Sequence, residues 1–302
     1  MTNERKAIGF ALIAVLLWST VATAFKITLS YFTPLQMLSV AATVSALVLG
    51  GLLAWQQGFK SVRTTFLAHP WYFLLLGAIN PMVYYLVLFE AYARLPASQA
   101  QPLNYTWAIA LTLMAAVFLK QRIRKRDWTA CVLGYLGVLF IATQGNFSDF
   151  SDTNWTGVGL ALLSTFLWAS YWILNTRHKS DPLVSLFLCF LLASPPLVVA
   201  TFFLEGIPSV PWQGWVAVSY VGVFEMGITF VFWLKAMRLA TNTSTISNLI
   251  FISPFISLVL LSVILDEHIG LATIGGLACI VTGLLIQQWR RRESSPPPAL
   301  EK

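Results

Sequence analysis

The chain contains ten separate stretches of about 20 predominantly apolar residues, and these stretches constrain the fold more than any other feature. A helix of about 20 residues spans the hydrocarbon core of a bilayer, because each residue adds about 1.5 Å. The intervening segments leave no room for a soluble domain. We therefore predict an all-α integral membrane protein with ten transmembrane helices, near residues 6–28, 34–55, 71–93, 97–119, 128–145, 157–176, 182–204, 213–234, 242–265 and 270–289.

Charged residues orient the predicted helices. They make up only 10% of the 302 residues, against about 25% in an average soluble domain. If the amino terminus is cytoplasmic, all of the 19 Lys and Arg residues except Lys26 and Arg94 fall on the inner side, as the positive-inside rule requires. Lys26 lies near the outer end of helix 1, where its stem can snorkel to the interface. We predict a multi-pass protein with both termini in the cytoplasm.

The net charge of +7 does not indicate nucleic-acid binding. That function needs Lys and Arg clustered on one solvated face, whereas here they separate apolar runs. The first residues also fit a secretory signal peptide, with Arg5-Lys6 before an apolar run and an A-x-A site at 22–24. A copy of this helix at 160–176 argues that the segment is retained.

An internal repeat divides the chain into two halves. ALIAVLLWST at 11–20 matches ALLSTFLWAS at 161–170, which superposes Trp18 on Trp168, and FEAYARL at 89–95 matches WLKAMRL at 233–239. Five helices per copy is an odd number, so the second copy must be inverted in the membrane. We predict a first repeat at 1–145, a second at 157–289 and a disordered cytoplasmic tail at 290–302, with a substrate cavity between the repeats. A duplication that left only a scaffold is the alternative.

Two polar runs at the starts of helices 4 and 9 are the candidate cavity walls. SQAQPLNYTW at 98–107 places Asn104, Tyr105 and Trp107 about 10–15 Å deep, and TNTSTISN at 241–248 includes Ser244 and Asn248. Polar groups at that depth are costly unless they face protein or water. Their hydroxyls and amides would hold a carboxylate while aromatic rings cover an apolar side chain. Helix capping explains 241–244 equally well but not Asn248.

Four further residues lie near the predicted midplane. Trp18 and Trp168 are central in their helices, although interfacial tryptophans lie at helix ends, which favours a cavity or helix-interface role over ordinary packing. Pro81 either hinges a gate or merely bends helix 3 around a neighbour. Glu225, aligned with Pro81 in the other half, is either a coupling residue or a protonated structural acid.

Small residues mark the last helix of each half as scaffold. Gly134 and Gly137 lie in helix 5, and Gly275, Cys279 and Gly283 repeat at every fourth residue in helix 10. Small residues let membrane helices approach closely, where the hydrophobic effect gives no drive for association. The same surface is compatible with a monomer or a weak homodimer.

Taken together, the five-plus-five pattern, the central tryptophans and the acid in LDEHI at 265–269 before a Gly-rich last helix resemble the drug/metabolite transporter superfamily, EamA type. NPMVYY at 80–85 and PLNYTW at 102–107 look most like YddG-type exporters of aromatic amino acids. The resemblance implies a central cavity lined by Tyr84, Tyr105, Trp107, Trp168 and Ser244, and export of aromatic and other neutral amino acids across a bacterial inner membrane by alternating access. Lys120-Gln121-Arg122 stands where the first repeat of that family often carries an acid, so the acid is present only as Glu267.

Alternative functions are export of other metabolites or drugs, a membrane-embedded enzyme, and a receptor. The enzyme is disfavoured because the chain has no H-E-x-x-H and no G-x-S-x-G, and its three histidines lie in different loops. We therefore predict no catalytic residues, no metal and no cofactor. The partners expected are a small-molecule substrate and the lipid bilayer, with uniport, exchange and proton antiport left open.

Overall fold

A computed structural model describes residues 3–289, except residues 57, 119, 121–122, 149–150, 152, 178–179, 241–245 and 247. The predicted tail at 290–302 and Ser244 lie outside the described residues. The described residues form helices joined by turns and loops, and no strand occurs among them. Its α-helices are α1 Asn3–Ser19, α2 Val21–Leu29, α3 Pro34–Gln56, α4 Lys60–Ala68, α5 Pro70–Gly77, α6 Tyr84–Arg94, α7 Ala97–Asn104, α8 Trp107–Phe118, α9 Lys125–Ala142, α10 Trp155–Arg177, α11 Pro182–Leu204, α12 Trp212–Tyr220, α13 Thr229–Leu239, α14 Ser253–Leu265 and α15 Leu271–Trp289.

Apart from α4, Lys60–Ala68, which lies between two predicted apolar windows, these helices overlap the predicted windows. Six helical segments of the described chain are long and apolar enough to cross a membrane, namely Asn3–Leu29, Pro34–Gln56, Pro70–Arg94, Trp155–Asn175, Pro182–Leu204 and Trp212–Leu239. Two shorter apolar helices, Leu249–Leu265 and Leu271–Gln287, follow. Helices are the expected solution, because each backbone polar group is then bonded within its own segment.

Three of the spans are interrupted at positions that their hydropathy does not reveal. The first breaks at Thr20, whose hydroxyl donates to the Leu17 carbonyl at 2.6 Å. The spans Pro70–Arg94 and Trp212–Leu239 each pass through a π-helical segment, at Ala78–Val83 and Val221–Ile228 respectively. Such widened turns leave the regular i to i−4 bonding pattern and occur frequently at functional sites. In this chain they occupy aligned places in the two halves.

The helices pack in partnerships that are conserved when the two halves are exchanged. α1 packs on α13, and its counterpart α10 packs on α6; α3 packs on α11, and α9 packs on α15. Two close backbone contacts are also equivalent when the two halves are exchanged. A Cβ on Gly77 would lie 2.9 Å from the Cys189 carbonyl oxygen, and one on Gly222 would lie 2.6 Å from the Ala41 carbonyl oxygen. Only glycine lets these helix backbones approach so closely.

The contact between α9 and α15 uses a different glycine from the one predicted. A Cβ on Gly137 would lie 2.4 Å from the Gly276 carbonyl oxygen, whereas nothing lies within 4 Å of a Cβ on Gly275. Gly275 is exposed and Gly276 is buried. The prediction followed small residues at every fourth position from Gly283 through Cys279 to Gly275, but Gly275 lies on the outer side of the helix. Gly276 and Gly283 are seven residues apart and therefore share the inner face.

Candidate functional site

A cavity of about 330 Å³ lies in the middle of the helix bundle. This is the size range of small-molecule sites in proteins. Its lining combines residues from both halves of the chain and includes most of the predicted site. The predicted residues that line it are Trp18, Tyr84, Asn104, Tyr105, Trp107, Trp168 and Glu225.

Two predicted residues lie beside the cavity rather than on its lining. Asn248 precedes Ile250 and Phe251, which do line it, and the Asn248 side-chain oxygen is buried. Pro81 is buried in the π-helical segment that precedes Tyr84. It lies three residues before Tyr84, which lines the cavity.

Five aromatic rings on the cavity lining form a continuous chain of contacts, the aromatic belt. The Trp168 ring centroid lies 4.8 Å from that of Tyr84 and 6.2 Å from that of Phe230. Trp18 approaches the same Phe230 ring at 5.4 Å and Trp233 at 5.5 Å. The two central tryptophans of the repeat thus contact one phenyl ring between them. Flat apolar faces of this kind suit an aromatic ligand, because stacked and edge-on rings attract each other.

The polar run at 98–107 surrounds a break between two helices. α7 ends at Asn104 and α8 begins at Trp107, and the hydroxyl of Thr106 in the break donates to the Leu103 carbonyl at 2.7 Å. The Asn104 amide nitrogen donates to Ser164 Oγ at 2.9 Å, which anchors it to α10. The run is therefore part of the cavity wall and also supplies the hydrogen bonds that a broken membrane helix needs.

Glu225 lies in the π-helical segment Val221–Ile228. Tyr85 donates its hydroxyl to Glu225 Oε1 at 3.2 Å, so an acid of the second half is held by a phenol of the first. Glu225 Oε2 is buried and accepts no hydrogen bond from any described residue. Among the described residues that line the cavity, Glu225 is the sole carboxylate, and none is Lys, Arg or His.

Sequence reasoning missed several lining residues, among them Phe230, which contacts both central tryptophans. Phe230 and Trp233 follow Glu225 in the same span, and widened turns there shift which later residues share its face. A regular 3.6-residue period does not predict that face. Gln101 and Trp172 also line the cavity and could have been predicted from the sequence. Gln101 belongs to the polar run, and Trp172 lies one turn after Trp168.

At one end of the bundle, two charged side chains form hydrogen bonds with the ends of neighbouring helices. Glu267 Oε1 accepts from the Ser98 backbone nitrogen at 2.9 Å and from Ser98 Oγ at 2.5 Å, in the first turn of α7. Lys26 Nζ donates to the carbonyls of Tyr92 and Leu95, both at 2.8 Å. An acid at a helix start and a cation at a helix end are both favoured by the helix dipole. The Lys26 ammonium lies at the end of α6, where it is bonded to backbone carbonyls. Its predicted snorkelling to the membrane interface stays a prediction.

The Lys26 contact leads to a stability prediction. Pro96 has no N–H, so the Tyr92 carbonyl lacks the donor four residues on that an uninterrupted helix would give it. We expect Lys26→Met to lose about 1–3 kcal/mol, the cost of leaving a buried acceptor unsatisfied. Thermal unfolding of purified protein in detergent measures the loss. Lys60→Met, at an exposed lysine, is the matched control, and equal unfolding midpoints in the two variants would contradict the assignment.

Comparison with known proteins identifies chains of similar sequence. The profile of the EamA-like transporter family matches residues 5–143 and again residues 155–287. A probable terminal-alkyne amino-acid exporter from Streptantibioticus cattleyicolor is 25% identical over 309 residues, covering 97% of this chain and 98% of the relative. The protein PecM from Dickeya dadantii is 25% identical over 289 residues, covering 92% and 91%. The uncharacterized transporter YyaM from Bacillus subtilis is 21% identical over 273 residues, covering 86% of each chain.

A solved crystal structure shares the fold. It aligns with a TM-score of 0.68 at 22% sequence identity, covering 96% of this chain and 99% of its own length. At this identity the likeness concerns the fold alone. It supports the arrangement of helices around the cavity and carries no information about the ligand.

Proposed function

This chain belongs to the EamA-like transporter family, and from that premise we propose that it is a secondary transporter that exports amino acids, preferentially aromatic and other neutral ones, by alternating access. The single observation that carries the proposal is the aromatic belt around a cavity in the middle of a multi-pass membrane protein. The relative named as a probable terminal-alkyne amino-acid exporter, similar over nearly the whole of both chains, supports the substrate class. Export of other metabolites is the second candidate.

The proposed architecture is ten transmembrane helices in two inverted repeats of five. Three observations support it: the family profile matches the chain twice, the helix partnerships persist when the halves are exchanged, and the two π-helical segments occupy aligned positions. Inverted repeats place the substrate at their interface, where one part rocks against another. With both termini cytoplasmic in a bacterial inner membrane, the end of the bundle that Lys26 and Glu267 pin faces outward.

The proposed substrate contacts follow from the lining. Trp18, Tyr84, Trp107 and Trp168 would cover an aromatic side chain, while Asn104 and Tyr105 supply polar atoms at the break between α7 and α8. We also propose Ser244 and Asn248, from the polar run at 241–248, as substrate contacts. We place gating or coupling at the aligned pair Pro81 and Glu225, because both lie in π-helical segments next to the cavity.

Flux into proteoliposomes of labelled phenylalanine or tryptophan tests the proposal. We expect Trp107→Ala and Tyr105→Ala each to lower the flux about 2- to 12-fold, since an aromatic contact contributes about 0.5–1.5 kcal/mol beyond burial. Trp71→Ala, at a tryptophan that is 82% exposed, is the control and should leave the flux unchanged.

The outcomes separate the parts of the proposal. Unchanged flux in both cavity variants would disprove the assigned contacts. Absence of flux for every amino acid tested would disprove the substrate class. Saturable binding without net movement would indicate a receptor instead of a transporter.

A further inference from the structure

The described lining of the cavity carries an acidic side chain but no basic one. An amino acid is a zwitterion, and both of its charges lose hydration when it moves from water into a cavity lined by protein. A desolvated charge needs a partner of opposite sign or several hydrogen bonds. The described lining offers one carboxylate, Glu225, and no Lys, Arg or His. The site can therefore balance the ammonium group of a ligand with a full charge, but its described residues offer no cation for the carboxylate.

The neutral polar groups of the lining do not remove this asymmetry. Gln101 is 5% exposed, and its amide can present either an oxygen or an NH₂ group to a ligand. The indole nitrogen of Trp172 is buried without a partner among the described residues and can donate one hydrogen bond. Hydrogen bonds to ionised partners are about twice as strong as neutral ones, so neutral donors such as these can bind the carboxylate, but the described lining offers it no opposite charge.

Glu225 is also arranged to accept an ammonium group. The Tyr85 hydroxyl orients the carboxylate by donating to Oε1, and Oε2 has no donor among the described residues. A carboxylate has about four acceptor sites, and an ammonium group brings three donors. A buried carboxylate oxygen without a donor is costly, so a ligand that supplies one is bound preferentially.

The aromatic belt adds to the attraction for a cation. The Tyr85 ring lies 4.7 Å from that of Tyr84, which contacts Trp168, so the oriented carboxylate and the ring faces belong to one connected cluster. The face of an aromatic ring carries partial negative charge and attracts a cation within about 6 Å of its centroid. The same faces repel a carboxylate.

We propose that the cavity recognises its substrate by the protonated amine, which binds Glu225, and that the substrate carboxylate is dispensable. The substrate class is then arylalkylamines together with aromatic amino acids, and arylalkyl carboxylic acids without an amine are excluded. This inference rests on the proposed transport function and specifies what its cavity selects.

Three probes with the same phenyl ring test the inference: phenylalanine, phenethylamine, which lacks the carboxylate, and 3-phenylpropionate, which lacks the amine. In proteoliposomes we expect phenethylamine flux within about threefold of phenylalanine flux, and no 3-phenylpropionate flux above that of empty vesicles. Glu225→Gln should lower the flux of both amines about tenfold or more, because it removes the charge-assisted partner and keeps the shape. Glu205→Gln, at an exposed acid, should change nothing.

Titration calorimetry with the same probes and purified protein in detergent measures binding, so it tests the inference without relying on transport. Phenethylamine should bind and 3-phenylpropionate should not, and Glu225→Gln should abolish the difference while its unfolding midpoint shows that it is folded. Flux or binding of 3-phenylpropionate equal to that of phenylalanine would overturn the inference, as would unchanged phenethylamine handling in folded Glu225→Gln. Selective binding without any flux would overturn the transport function and leave the amine assignment standing.

Discussion

Replacing Trp168 by alanine is expected to lower amino-acid flux by at least about tenfold. Trp168 contacts Tyr84 at 4.8 Å, Tyr171 at 5.5 Å and Phe230 at 6.2 Å between ring centroids. Removing it therefore takes away one stacking face and the support of two others, Tyr84 and Phe230. Loss of about 1.4 kcal/mol already corresponds to a tenfold effect, and each aromatic contact contributes about 0.5–1.5 kcal/mol.

The experiment must separate a lost contact from a lost fold. Trp→Ala in a packed site costs about 3–5 kcal/mol of stability, so flux is compared at equal amounts of folded protein, measured by gel filtration. Trp168→Phe, which keeps a ring in place, should fold and retain most of the flux. Trp55→Ala, at a tryptophan that is 82% exposed, is the surface control. Wild-type flux in folded Trp168→Ala would rule out the ring as a substrate contact.

The second large effect is expected at Gly276, where a single methyl group should destabilise the protein. A Cβ there would lie 2.5 Å from Ile141 Cγ1 and 2.6 Å from the Gly137 carbonyl oxygen. A backbone oxygen cannot move aside like the end of a side chain, so α9 and α15 must separate. We expect Gly276→Ala to cost about 1–3 kcal/mol, the usual penalty for overpacking.

Gly275→Ala is a matched control one residue away in the same helix. Nothing lies within 4 Å of its Cβ, and alanine has the higher helix propensity, so its unfolding midpoint in detergent should equal or exceed that of the wild type. The two variants have the same composition and differ only in the face that carries the methyl group. Equal midpoints for Gly276→Ala and Gly275→Ala would show that the helices do not pack through Gly276.

Long apolar runs could be predicted from the sequence because burial in lipid acts on whole segments. Pro34–Gln56 and Pro182–Leu204 lie at their predicted positions to within one residue. The lining of the cavity was predicted best where two independent signals agreed, such as the repeat and the central position for Trp18 and Trp168. Both tryptophans line the cavity.

What could not be predicted depends on local departures from regular geometry or on contacts between distant segments. The widened turns before Phe230 change the helical phase, so Phe230 had no periodic signature. The hydrogen bonds of Lys26 depend on where α6 ends and on a proline that follows it, which hydropathy does not encode. The choice of Gly276 over Gly275 is a matter of about 100° of helix rotation, which spacing of small residues alone does not determine.

The shared contact of Phe230 also limits how the chain can change over evolution. Trp18 belongs to the first half, Trp168 and Phe230 to the second, and one phenyl ring touches both indoles. A change of bulk at position 230 must then be accommodated at 18 and 168 together. The two halves of the chain are therefore coupled at this contact, and positions 18, 168 and 230 should covary among related sequences.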